Sequence, residues 1–220
     1  MANSWCPAAL SMTLSPTLSM ISLGALAYFL GSIPFGLIIA TLRNIDLRAA
    51  GSGNIGATNV FRTVGKSWGI LTLFLDALKG YIAAALLPRM LDTSPAEAVH
   101  LGLLFGVLGI AGHTWPIFLR FKGGKGVATS AGVLLALAPA TMGAGLVAFA
   151  LLFAITRYVS AASMGASLVV AASGWVLHRQ DGFLLPMTLT CLAVLIVWRH
   201  RANIQRLVRG EENRLELRKR

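Results

Sequence analysis

Charge is scarce in this chain. Only 12% of its 220 residues are Asp, Glu, Lys or Arg, about half the share of an ordinary soluble domain. That excludes a water-soluble fold with a normal polar shell. Acidic residues are scarcer still, 8 against 19 Lys and Arg, so chemistry that needs several carboxylates around a metal has little to draw on. The two cysteines, Cys6 and Cys191, lie far apart, which leaves no disulfide framework and no zinc spacing. No HExxH motif occurs, and Ser52, Ser160 and Ser163 have no G-x-S-x-G context, which removes the common zinc protease reading and a serine hydrolase built on these serines. Residues 1–19 carry no charged side chain. They lack the basic n-region of a signal peptide and are expected to form a short non-cytoplasmic tail. No repeat of 20–50 residues is visible.

Long apolar runs fill the space that charge leaves. Hydrophobic residues make up 56% of the chain, and the mean hydropathy is +0.73. A helix needs about 20 apolar residues to cross a bilayer. The runs at 20–42, 67–87, 99–119, 159–177 and 183–198 meet or approach that length. The uncharged stretch 127–155 would be about 43 Å as one helix, more than a hydrocarbon core of about 30 Å needs. Pro139 near its middle divides it into a short span over 127–138 and a longer one over 140–155. The expected fold is an all-α membrane bundle of about seven transmembrane helices, with six as the alternative. Residues 20–198 form the membrane domain, and residues 199–220 form a basic cytoplasmic tail with eight Lys/Arg against three Glu. Seven crossings put the uncharged N-terminus outside and the C-terminus in the cytoplasm.

The net charge of +11 would suggest nucleic acid in a soluble protein. Here the cations sit in loops between apolar runs, so the positive-inside rule accounts for them, and no nucleic-acid partner is expected.

Three polar segments gather on the basic side. The first is GSGNIGATNVFRTVGK, residues 51–66. Gly51 and Gly53 let backbone approach a ligand, Ser52, Asn54, Thr58 and Asn59 are neutral donors, and Arg62 is a planar fork for phosphate or carboxylate. The segment also spells G-x-G-x-x-G, with Asp76 twenty residues on. A membrane run precedes it instead of a strand, so a dinucleotide site is rejected. The second, GHTWPIFLRFKGGKGVATS (112–130), sets Lys122 and Lys125 around Gly123 and Gly124 ahead of a helix start, a place that favours an anion. Lys125 is followed by Gly126, so this is no Walker A loop. His113 is read first as a structural hydrogen-bonder. The third, HRANIQRLVRGEEN (200–213), holds His200, Asn203, Arg206 and Glu212; taken alone it is a basic tail against anionic lipid. TRYVSAAS (156–163), with Arg157, Ser160 and Ser163, lies at the same depth. Asp76 and Lys79 fall three apart inside one run and can pair on one helix face; a buried structural role is favoured for them.

Taken in order and spacing, GSGNIGATNVFRTVG, GHTWPIFLRFKGGKGVAT and HRANIQRLVRGEE, with LDALKG (75–80) and TRYVSAAS, strongly resemble the bacterial inner-membrane acyl-phosphate:glycerol-3-phosphate acyltransferases. The likeness runs from about residue 20 to the tail. Glu212 matches the family's glutamate. The resemblance implies transfer of a fatty acyl group from an acyl phosphate to the 1-hydroxyl of sn-glycerol 3-phosphate, giving lysophosphatidate and inorganic phosphate. This is the first acylation of bacterial phospholipid synthesis. It implies a multi-pass protein of the bacterial inner membrane whose active site faces the cytoplasm. Its partners are the two substrates, membrane lipid and the enzyme that supplies acyl phosphate; no cofactor or metal is expected. A mixed anhydride is already activated, so direct attack without an acyl-enzyme is expected. In this reading Ser52, Lys125, His200 and Asn203 are catalytic. Gly51, Gly53, Asn54, Thr58, Asn59, Arg62, Lys122, Gly123, Gly124, Ser160 and Ser163 bind substrate, while Asp76, Lys79, His113, Arg157 and Glu212 are structural or unassigned. Lys125 and Ser52 would hold the donor phosphate, and Arg62 and Asn203 the glycerol 3-phosphate. The proton goes to a donor phosphate oxygen or to His200, and the residues do not choose between them. The rival from another class is a small membrane transporter of phosphorylated anions. It needs a polar path, and the runs offer few polar groups besides Asp76 and Lys79.

Overall fold

A backbone that crosses hydrocarbon must satisfy its own N–H and C=O groups, and a helix does so within one segment. The computed structural model describes residues 15–215 and is helical throughout its apolar runs. The helices are α1 Pro16–Ser32, α2 Phe35–Leu42, α3 Ala57–Thr63, α4 Lys66–Tyr81, α5 Pro95–Thr114, α6 Val127–Leu137, α7 Pro139–Thr156, α8 Val159–Leu177, α9 Leu184–Arg199 and α10 Arg201–Val208. Among the described residues, five stretches are long and apolar enough to cross a membrane: Pro16–Leu42, Lys66–Met90, Pro95–Leu119, Pro139–Thr156 and Val159–Leu177. Helices α9 and α10, bent by 55° at their junction, add a sixth if taken as one broken span. The protein is therefore an all-α polytopic membrane bundle.

Prolines punctuate it. Helix α1 starts at Pro16 rather than near residue 20, because Ser15 caps it, its Oγ accepting from the Leu18 N–H, and Pro16 occupies the first turn. Proline's missing N–H costs nothing there. The rest of the expected outer tail, 1–14, lies outside the described residues. Pro34 separates α1 from α2. Pro95 opens α5 behind a Ser94–Glu97 capping box. Pro139 opens α7 directly after α6, so the stretch 127–155 is two helices, as its length required.

The surface and interior are inverted relative to a soluble protein. Large apolar side chains such as Ile70, Phe74, Leu151 and Ile155 are exposed, while Asn59, Asp76, Lys79, His113 and His200 are buried. Between apolar helices in lipid, close backbone approach supplies the packing. Helix α6 lies so near α4 that a Cβ on Gly132 would fall 1.8 Å from the Ala77 carbonyl oxygen. Only glycine fits there.

The polar loops meet at one end of the bundle. Arg48 Nη2 donates to the Lys122 carbonyl, Arg199 Nη2 to those of Gly123 and Gly124, and Arg62 Nη2 to that of Asn213. The Leu215 N–H bonds the Arg157 carbonyl. Helix α5 ends at this end and α6 begins there, while α7 ends there and α8 begins. Helices α6 and α7 thus form a hairpin whose first arm, at 11 residues, is only about 16 Å long. Residues 200–215 do not hang free as a tail. Helix α10 turns across the bundle end, and the segment after Gly210 lies over the α7–α8 junction.

Candidate active site

The meeting of these loops encloses a cavity of about 300 Å³. It draws on all three polar segments and on TRYVSAAS. Ser52, Asn54, Thr58 and Arg62 line it from the first, Lys125 and Gly126 from the second, Ser160 and Ser163 from the α8 start, and His200, Asn203 and Glu212 from the third. Asp76 and His113 form part of the wall.

The first wall is a stapled loop. Asn59 is buried at the start of α3, and its Nδ2 donates to the Leu47 and Ala50 carbonyls while its Oδ1 accepts from the Ser52 N–H. Its side chain is engaged by the loop, so Asn59, which also lines the cavity, shapes the site. Gly51 serves that staple: its φ is +59°, and a Cβ there would sit 2.3 Å from Asn59 Oδ1. Gly53 also has positive φ, and neither glycine lines the cavity. Asn54 Oδ1 accepts from the Gly56 N–H, which leaves its amide nitrogen as the available group. Ser52 is exposed at the rim.

The second segment divides. Lys125 enters the cavity and its Nζ donates to Asn203 Oδ1. Lys122 is exposed, and Gly123 and Gly124 spend their N–H groups on the Thr114 and His113 carbonyls. None of these three lines the cavity, so the expected anion cradle of Lys122, Gly123 and Gly124 is instead a braced loop. Arg199 braces it, and sequence reading gave Arg199 no role because it looked like one more cation of the basic side.

The third segment is organised by Glu212. Its Oε1 accepts from Ser160 Oγ and Asn203 Nδ2, and its Oε2 from Arg206 Nε, all at 2.7 Å. Burial would raise its pKa, but the bonds from Asn203, Ser160 and Arg206 outweigh that and hold it below the usual carboxylate range. Arg206 is the second contributor given no role from sequence. Arg157, exposed and left-handed at φ +59°, contributes only its carbonyl, to Leu215.

The electrostatics favour a polyanion. Burial, and then Arg206, Arg62 and Arg199, lower Lys125 to about 8 against the opposing pull of Glu212. Burial is also the main cause that lowers Arg62, partly offset by Glu212; a guanidinium remains charged nonetheless. Arg62 and Lys125 line the cavity with Arg199 and Arg206 close by, while of the two carboxylates in its wall Asp76 is paired with Lys79, so the site keeps a positive excess suited to phosphate. His200 Nδ1 lies 2.8 Å from the Ile196 carbonyl. A carbonyl only accepts, so Nδ1 carries the proton and Nε2 of the neutral ring is the acceptor. On one side the cavity is apolar, lined by Ile70 and Leu73 of α4 and Phe149 of α7. Ile70 and Leu73 are also exposed on the bundle's outer surface, so this side faces lipid.

Known proteins match this chain along most of its length. A family model described as glycerol-3-phosphate acyltransferase matches residues 21–210. A glycerol-3-phosphate acyltransferase of Anaeromyxobacter dehalogenans is 43% identical over 206 residues, 92% of this chain and 100% of the relative. One of Listeria welshimeri is 44% identical over 201 residues, covering 91% and 98% respectively. The crystal structure of PlsY (YgiH), an integral membrane glycerol 3-phosphate acyltransferase, in its glycerol 3-phosphate form superposes with a TM-score of 0.79 at 38% identity. That match covers 90% of this chain and 96% of the other. The lysophosphatidic acid form of that protein gives a TM-score of 0.76.

Proposed function

The chain belongs to the glycerol-3-phosphate acyltransferase family, and from that premise we propose that it moves a fatty acyl group from an acyl phosphate to the 1-hydroxyl of sn-glycerol 3-phosphate. The glycerol oxygen attacks the acyl carbonyl carbon, the carbon–oxygen bond to phosphate breaks, and lysophosphatidate and inorganic phosphate leave. One observation carries the reading: the Lys125–Asn203 bond joins two of the polar segments inside a cavity that also contains Ser52 and Arg62. Cations for two phosphates thus share one site whose apolar side faces lipid, where an acyl chain can lie.

Lys125 and Ser52 hold the donor phosphate and stabilise the charge that grows on it as it leaves. Arg62, with Asn203 and Ser163, holds glycerol 3-phosphate so that its hydroxyl lies against the acyl carbon. The glycerol proton ends on the departing phosphate, either directly or by way of His200. The unprotonated Nε2 implied by the Ile196 contact supports the route through His200. Glu212 and Arg206 close the cavity with the segment 210–215.

The same reading places the basic end in the cytoplasm, with seven crossings and the N-terminus outside. Two things support it. Helices α6 and α7 turn back to the end they left. The cations Arg43, Arg48, Lys66, Arg120, Lys122, Arg199 and Arg201 belong to that end, while the opposite loops carry Arg89 with Asp92 and Glu97, and Arg179 with Asp181, which accords with the positive-inside rule.

The test is donor choice. The purified protein in lipid nanodiscs is given glycerol 3-phosphate with either palmitoyl phosphate or palmitoyl-CoA. Lysophosphatidate from the phosphate alone supports the proposal; lysophosphatidate from the CoA ester alone overturns it.

A further inference from the structure

Asp76, Lys79 and His113 are 3%, 2% and 6% exposed, deep among apolar helices. Ionised groups in such a place are costly and are retained for what they do. The ion pair here is not self-contained. Asp76 Oδ1 lies 2.8 Å from Lys79 Nζ and 3.6 Å from His113 Nδ1. Lys79 Nζ also donates to the Ile33 carbonyl at 2.8 Å. That carbonyl is at the C-terminal end of α1, where Pro34 breaks the helix and an ammonium meets the negative end of its dipole. Both of these Lys79 contacts lie within the helix packing. Asp76 has a second neighbour, and that neighbour leads to the site.

His113 grips the loop that carries Lys125. Its carbonyl accepts the Gly124 N–H at 3.0 Å, and the Thr114 carbonyl accepts that of Gly123 at 3.2 Å. Its ring fills the space where a Gly124 side chain would go: a Cβ there would lie 2.1 Å from His113 Nε2. From the other side Arg199 Nη2 holds the carbonyls of Gly123 and Gly124, each at 2.9 Å. The peptide just before Lys125 is thus clamped between an imidazole and a guanidinium.

We propose that Asp76 is a positioning residue for the donor-phosphate site: it sets the orientation of the His113 ring, which fixes Gly124 and so the reach of Lys125. The inference rests on the reaction proposed above, in which Lys125 holds the donor phosphate. Asp76 and His113 line the cavity wall but have no assigned contact with a reacting atom, so their effect falls on one substrate. Loss of the carboxylate lets the ring turn, the loop shift and Lys125 miss the phosphate, while Arg62, held on α3 and bonded to the Asn213 carbonyl, has no contact with that loop to lose.

The experiment compares wild type, Asp76→Asn and the double variant Asp76→Asn with Lys79→Met, full-length and in lipid nanodiscs. Initial rates are taken while palmitoyl phosphate and glycerol 3-phosphate are varied separately, and thermal midpoints are recorded alongside. Asp76→Asn alone leaves the Lys79 charge unpaired and loses stability; the double variant removes both charges and recovers it. The expected result is a KM for palmitoyl phosphate raised by about tenfold or more in both variants, as a misplaced group gives, with the KM for glycerol 3-phosphate little changed. If Asp76→Asn does not fold, the double variant carries the test. Recovery of the donor KM together with stability in the double variant would overturn the inference and leave only charge balance. Equal rises in both KM values would overturn it too. A wild-type protein inactive with palmitoyl phosphate would refute the reaction itself, which is a separate result.

Discussion

Lys125 Nζ donates to Asn203 Oδ1, and this bond joins the Gly-rich loop before α6 to helix α10. Asn203 Nδ2 in turn donates to Glu212. One amide therefore sets the ammonium, and the carboxylate sets the amide. Lys125→Met removes the charge that meets the leaving phosphate, and kcat/KM for the acyl phosphate is expected to fall about a hundredfold, the usual loss of one preorganised donor. Steady-state kinetics in nanodiscs checks it; a loss under about threefold would take Lys125 out of the site.

The same lysine gives a pH dependence. Burial, reinforced by nearby arginines, lowers its pKa to about 8. An amine is charged below its pKa, so the group that binds phosphate is intact below about 8 and is lost as pH rises through it. The KM for acyl phosphate is expected to climb on the alkaline side of about 8. Lys125→Arg keeps its charge far above that range, so its profile should lack this limb even if its rate is lower. A limb unchanged in the arginine variant would assign it to another group.

Glu212 should matter more to closure than to chemistry. Its three side-chain bonds to Ser160, Asn203 and Arg206 hold the segment that Arg62 also grips at Asn213. Glu212→Ala leaves Arg206 without its carboxylate and is expected to cost on the order of 2–3 kcal/mol. Its folded pKa is depressed. The contribution is therefore present above the unfolded carboxylate value and lost only as pH falls through the lower folded one. Thermal midpoints against pH, with limited proteolysis after Gly210, test this. Glu212→Gln, which keeps acceptors, should lose less.

Gly132→Ala tests the α4–α6 contact. The added carbon would fall 1.8 Å from the Ala77 carbonyl, so the helices must part. A loss of about 1–3 kcal/mol is expected, as for overpacking in a core. The thermal midpoint measures it, and the cavity floored by α6 should lose activity in step.

Topology is open to labelling. In a background with Cys6→Ser and Cys191→Ser, single cysteines replace Lys122 at the basic end and Asp92 at the other. An impermeant maleimide added to intact cells should label Asp92→Cys and spare Lys122→Cys; the reverse would invert the orientation.

The kind of element, an apolar helix, was legible in the sequence because hydropathy marks it, and Pro139 marked the break between α6 and α7; the number of crossings was less so, since among the described residues five stretches, or six with the bent α9–α10 pair, are long and apolar enough to span. Which face of each helix turns inward was not legible, since helices in lipid are apolar all round: exposed Ile70 and buried Ile39 look alike. The start of α1 was written in Ser15-Pro16, but the missing charge of residues 1–19 suggested a tail. In the site, Ser52, Arg62, Lys125, His200 and Asn203 fall together on one cavity. Asn59 could not be told from a ligand, because an amide that staples a glycine-rich loop and one that cradles phosphate are the same residue in the same setting. Arg199 was hidden for a similar reason: a guanidinium that clamps backbone carbonyls reads as one more cation of the basic side.

The central claim is direct transfer in one cavity, with no acyl-enzyme. A rapid-mix single turnover tests it most directly: enzyme in excess over palmitoyl phosphate, with and without glycerol 3-phosphate, following phosphate, lysophosphatidate and protein-bound acyl groups. The account predicts no phosphate without the acceptor, and phosphate and lysophosphatidate appearing together, one for one, when it is present. A stoichiometric burst of phosphate without glycerol 3-phosphate, with the acyl group left on the protein, would contradict it.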